Sequence, residues 1–162
     1  MTAETDNARE LLRHTLATVA YRGGKTLRDA PPEFATFRAG DTARTPLEIL
    51  SHLGDLFGWS LSIAQGQEKW PGVDPQGWDE ASARFFANLN ALDEFLSSAE
   101  PLGCSPLQLF QGPIADSLTH VGQLAMLRRL AGAPMRGENY FVAEITAGRV
   151  GPEQAKPRFE FD

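Results

Sequence analysis

Thr45-Pro46-Leu47-Glu48-Ile49-Leu50-Ser51-His52-Leu53-Gly54-Asp55-Leu56-Phe57 decides the fold class. Threonine followed three residues later by glutamate is the pattern of a capping box, in which side chains and backbone at a helix start satisfy one another. Pro46 falls at the first helical position, where its missing N–H is no loss and its fixed φ suits the helix. Beyond it Ile49, Leu50, Leu53, Leu56, Phe57, Leu61 and Ala64 recur on one helix face, so the spacing predicts a helix continuing to about Gln67.

The same periodicity extends in both directions. A first helix is expected over residues 4–29, with Leu11, Leu12, Thr15, Leu16 and Val19 as its stripe. Gly23-Gly24 is a point where it would fray or bend, and Pro31-Pro32 stops it. Residues 69–75 read as a loop by their breakers. A third helix follows over residues 78–99, carried by Phe85, Phe86, Leu89, Leu92, Phe95 and Leu96. Residues 102–112 form a second loop with a short turn at Pro106-Leu107-Gln108. A fourth helix starts at Pro113 and ends at Gly132-Ala133-Pro134, glycine just past the last turn being a stop signal. A short fifth helix is expected over residues 140–147, and an irregular polar tail from Gly148. Strand signals are sparse, so the expectation is an all-α single domain built as a four-helix bundle.

Bulk properties narrow the function. The 162 residues suffice for one buried core, and 42% hydrophobic with 22% charged residues is a globular composition. The net charge of −6 repels phosphate backbones, so a nucleic-acid partner is not expected. No apolar run approaches the roughly 18 residues of a membrane span, so no membrane partner is expected either. Residues 1–9 are polar and carry Glu4 and Asp6, unlike a signal peptide. Cys104 is the single cysteine, which excludes an internal disulfide and a multi-cysteine zinc site and fits a reducing, cytoplasmic setting.

Each of the three histidines follows a carboxylate by four residues: Glu10–His14, Glu48–His52 and Asp116–His120. That spacing puts both side chains on one helix face. His14 lies roughly 140° from the centre of its apolar stripe and is expected in solvent. His52 lies roughly 100° from its own stripe centre, a boundary position flanked by Leu56, Trp59 and Ile63. In the fourth helix Ile114, Leu118, Val121, Leu124, Ala125, Leu127 and Leu130 nearly encircle the axis, yet Asp116, His120 and Gln123 cluster within roughly 60°. Arg128 and Arg129 are expected on the opposite side. A polar stripe that turns into leucine is expected to enter the interior, where a carboxylate needs a cation or a hydrogen-bond network. Both solutions are open on these residues. Imidazole with carboxylate suits nickel or zinc, and also iron or manganese, with positions left for water or substrate. Gln123 could contact a bound molecule and Trp59 could line a pocket. Glu48 lies one turn from His52, but its capping role accounts for it.

The segments Leu50-Ser51-His52-Leu53-Gly54-Asp55 and Asp116-Ser117-Leu118-Thr119-His120-Val121-Gly122-Gln123-Leu124, followed by Leu127-Arg128-Arg129-Leu130-Ala131-Gly132, resemble the DinB-like superfamily. The resemblance implies a four-helix bundle with a crossing connection, often a homodimer. It implies a metal site of one histidine from the second helix and a His-x-x-x-His pair from the last core helix. His52 and His120 match the first and last ligands. Asp116 falls where the family has histidine, and this harder, anionic donor implies a different metal preference, a lower affinity or a metal-free site. Family members of known activity include transferases and isomerases in which a metal activates a small-molecule thiol for reaction with a second substrate. The competing reading is a non-catalytic binding or stress-associated bundle, and a metal hydrolase would differ from the first reading only in its substrate.

Other motifs fail on physical grounds. Gly23-Gly24-Lys25-Thr26 follows no strand, and a phosphate loop would need glycine at Val19. No serine sits in a nucleophile elbow. No Glu-x-x-His pair supports a di-iron bundle.

Overall fold

The computed structural model describes residues 3–74 and 77–162, with side chains from residue 7 onward. Its helices are α1 (Ala3–Leu27), α2 (Pro46–Ala64), α3 (Trp78–Ser97), α4 (Pro106–Leu109) and α5 (Ala115–Leu130). Among the described residues the only strands are β1 (Gly137–Glu138) and β2 (Glu160–Phe161), paired antiparallel with Gly137 opposite Phe161. The chain is thus all-α. Each long helix packs on two others, α1 and α2 both touching α3 and α5, so the four close a ring. Leu16, Leu50, Leu53, Phe57, Phe85, Leu89 and Leu124 fill its centre. Each such side chain contributes on the order of 1.5–3 kcal/mol by leaving water.

The start of α2 is the one read from the sequence. Thr45 Oγ1 accepts from the Glu48 amide at 3.2 Å, and the Glu48 carboxylate accepts from the Thr45 amide at 2.6 Å. Gly66, at φ +77°, follows the end of α2 at Ala64, a few residues ahead of the expected end. Between α2 and α3 runs a polar seam. Arg84 donates to Asp55 at 2.5 Å and to the Ser51 carbonyl and hydroxyl at 2.7 and 2.9 Å. Gly54 makes room for it, since a Cβ there would stand 3.0 Å from the guanidinium carbon. Asp55 also accepts from the Val73 amide and Ser51 donates to the Val73 carbonyl, so the seam ties the loop after α2 to the helix. Residues 69–74 are irregular as expected, and Pro75 of that expected loop lies outside the described residues.

Several expectations are corrected. Gly23-Gly24 does not fray α1, which runs on to Leu27; Gly23 instead admits the Phe85 ring, 3.0 Å from where a Cβ would sit. Leu11 is exposed, so the stripe of α1 is narrower than its sequence pattern. Arg128 does not project outward with Arg129. It is buried and donates to the carbonyls of Thr26, Arg28, Asp29 and Ala133, closing the C-terminus of α1. Leu130 is exposed, so α5 is less deeply packed than its composition implied. The last long helix does not start at Pro113: a wide turn over Phe110–Ile114, broken at Gly112, joins α4 to α5. The short fifth helix expected over residues 140–147 is reduced to one turn. Asn139 caps a single 3-10 turn, Tyr140–Val142, a length too short to hold a helix without packing.

The tail from Gly148 is irregular up to β2, as expected, and the segments around it are tied to α1. Glu138 is buried, accepting from Tyr21 at 2.5 Å and from Lys25 at 2.7 Å, and Lys25 also reaches Glu160 at 2.7 Å. Val150 is buried against the core.

Two measurements check this account. Thr45→Ala should lower stability by about 1 kcal/mol in denaturant unfolding, the usual cost of losing such a cap. The hydrogen bond from Lys25 holds Glu160 below the usual carboxylate range. A lowered folded-state pKa stabilises above the unfolded value, about 4.3, and the gain is lost as pH falls through the folded value. The stability gap between the native chain and Glu160→Gln should therefore be present at neutral pH and close on acidification.

Candidate metal centre

Capping and the Arg84 seam fix the rotation of α2 about its axis, and that rotation turns His52 toward α5. On α5, Asp116 and His120 stand one turn apart on the face that meets it. His52 Nε2 lies 3.6 Å from Asp116 Oδ2, and His120 Nδ1 lies 3.4 Å from Asp116 Oδ1. The two imidazole centroids are 4.7 Å apart. One ligand atom from each of the three residues can be chosen so that all lie within 4.8 Å of one another, a group that could hold a metal ion. Donors on one four-coordinate ion with bonds of roughly 2.0–2.1 Å stand about 3.3 Å apart, so modest side-chain rotation closes the set.

Protonation suits ligation. His52 is held below the usual imidazole range, first by burial, then by the charges of His120 and Arg44, against a smaller opposing pull from Asp116. A neutral imidazole is the ligand form. His120 Nδ1 lies 3.0 Å from the Asp116 carbonyl, a contact in which the ring donates because a carbonyl only accepts.

The burial argument made from sequence needs correcting. Side-chain exposure is 12% at His120, 24% at His52 and 45% at Asp116, so the carboxylate is not a buried charge in need of rescue. The stripe runs along the surface edge of the ring rather than into its centre. What distinguishes the three residues is convergence.

The two imidazoles form one wall of a cavity of about 610 Å³, whose lining also includes Arg44, Ile49, Gln123, Met126 and Leu127. Gln123 thus lies where a bound molecule would meet it. Glu48 does not line this cavity; it is exposed, engaged in the capping box and 3.5 Å from Arg38. Trp59 does not line it either. It lines a second cavity of about 410 Å³ with Cys104, whose thiol pKa is pushed up by burial, and stands edge-on to Trp70 at 5.7 Å. His14 is in solvent.

Two residues that belong here were not assigned to the site from the sequence: Trp70 read as a core or loop-packing residue, and Arg44 had no assigned role. Trp70 packs on His52 at 5.7 Å, carried there by the loop that Ser51 and Asp55 pin. Arg44 borders the cavity just ahead of the Thr45 cap. Trp70 sits among loop breakers, and only the distant hydrogen bonds to Val73 reveal where it goes. Arg44 had one available signal, its place one residue before a helix that carries a candidate ligand.

No family model, curated protein or solved structure matches the chain. The chemistry of the centre therefore rests on its geometry. Because Trp70 touches His52, an ion held there should report optically. Nickel added to chelator-treated protein should quench tryptophan emission, and Trp70→Phe should remove the larger part of that quenching.

Proposed function

We propose that the chain is a divalent-metal-dependent enzyme of the DinB-like type, with His52, Asp116 and His120 as ligands. The observation that carries this reading is the convergence of three donors from two helices within 4.8 Å, two of them, the imidazoles, at the wall of a cavity large enough for a small molecule. Bringing two imidazoles together gains nothing by itself, whereas an ion between them binds both. The ring of four long helices supports the same family, as does the position of one donor on α2 and two on the last long helix. One carboxylate with two imidazoles suits nickel or zinc and also admits iron or manganese. A divalent ion at this position would act as a Lewis acid, and a thiol coordinated to it would be deprotonated. This supports a small-thiol-dependent transferase or isomerase acting in the cytoplasm, in the family's homodimeric form, on a second substrate held in the cavity. This chain's own residues then supply the site: Gln123 contacts the bound molecule, and Trp70 shields His52 from solvent.

A second reading has an observation of its own. Asp116 lies within 3.6 Å of both imidazoles, so the three also form a self-sufficient carboxylate–imidazole network that needs no ion. Elemental analysis and metal titration separate the two. Stoichiometric uptake of nickel or zinc is expected, lost in His52→Ala and in His120→Ala and weakened in Asp116→Asn. Asp116→His, which restores the family pattern, should raise affinity for nickel and zinc relative to manganese. Absence of uptake across nickel, zinc, iron and manganese, with stability indifferent to chelator, would leave the metal-free network.

A further inference from the structure

We infer that the cavity beside the His52–Asp116–His120 cluster takes a small organic anion, a carboxylate or phosphate on an apolar body, with Arg44 as its anchor. The inference deepens the proposed function and rests on it for the ion, but its recognition element is separate from the ligands. Arg44 borders the cavity, is exposed, and among the described residues has no side-chain hydrogen bond or ion pair. Its neighbours are occupied. Arg38, the nearest other arginine in sequence, is turned to Glu48 and to the Ala43 carbonyl.

Charge balance points the same way. The chain carries −6 overall, yet the only carboxylate in the cluster is Asp116, and none lines the cavity. With a divalent ion in place, two positive charges from the metal and one from Arg44 face one negative charge from Asp116. Such a concave, cationic spot on an acidic protein selects anions. A guanidinium fork matches carboxylate and phosphate oxygens in two-point contact.

The remaining walls define the body of the ligand. Ile49 and Leu127 are buried side chains that line the cavity, and Met126 is 57% exposed beside them. A thioether left at a cavity mouth is an adaptable apolar contact. Gln123 offers both a donor and an acceptor. The volume of about 610 Å³ suits a metabolite-sized molecule.

The test uses the full chain stripped of metal by chelator, titrated with hexanoate, hexyl phosphate, hexanol and hexylamine. Binding is read at the Met126 methyl and Gln123 side-chain amide resonances. Hexanoate or hexyl phosphate should shift both signals, and whichever binds tighter names the head group. Hexanol and hexylamine should bind about tenfold more weakly or not at all. Arg44→Gln should lose about the same factor, with Arg44→Lys between, while unfolding midpoints stay unchanged because the side chain is exposed and unpaired. Zinc should then tighten the anion in the native chain and not in His52→Ala. Equal affinity for hexanol and hexanoate, indifference to Arg44→Gln, or no binding of either anion with and without zinc would overturn the inference. Anion selectivity that survives while zinc uptake fails would sink the metal reading alone.

Discussion

The Arg84 seam between α2 and α3 is the constraint on which the site depends. Arg84 bridges Asp55 and Ser51, one turn apart on α2, and lies in the gap that Gly54 leaves. It therefore fixes not only the distance between the helices but the rotation of α2 about its axis. A slip of one residue would turn every α2 side chain by about 100°, carrying His52 away from α5. The same two α2 residues hold Val73 from both sides, and with it the loop that brings Trp70 onto His52. One part-buried ion pair thus orients an imidazole and places a tryptophan on it. Replacing Arg84 would leave the buried Asp55 carboxylate without its cation, which is more costly than losing the pair is worth.

Arginine also closes helix ends elsewhere. The last carbonyls of a helix lack amide partners, and a buried end must find donors. Arg9 supplies them to the end of α3, reaching the carbonyls of Phe95, Leu96, Ser98 and Glu100, and Arg128 does the same for α1. Both guanidiniums come from distant parts of the chain, so each cap is also a tertiary contact. The positive charge meets the negative end of the helix dipole, which favours the arrangement twice over.

What the sequence disclosed and what it hid divide along this line. The helix starts and stops set by neighbouring residues were legible: the Thr45–Glu48 box, Pro46, and Gly132 at φ +74° after α5. So were the helix faces that bring His52, Asp116 and His120 to one place, because a four-residue spacing fixes a face whatever the packing. Features that depend on residues far apart in the chain were not legible. Arg128 reads as a solvated charge until the ends of α1 and α5 are seen side by side. Glu138 and Glu160 carry no local signal, and their role appears only where Lys25 joins them. The exposure of Asp116 was misjudged because an apolar α5 sequence implied full burial, whereas Met126 and Leu130 leave one side of that helix open.

That open side changes how the centre should be understood. A carboxylate sealed in the core would force its own neutralisation, and an ion there would be a structural staple. Asp116 instead keeps nearly half its side-chain surface in contact with solvent, while His120 is largely covered and His52 lies between. The three donors therefore form a gradient from wet to dry. An ion held there would meet one exposed carboxylate and two more covered imidazoles, the latter at the cavity wall. Structural sites enclose their ion with protein donors, while reactive sites leave a position open. Two of the three donors, the imidazoles, line the cavity and the third, Asp116, is nearly half exposed, so the cluster is open rather than enclosed by protein.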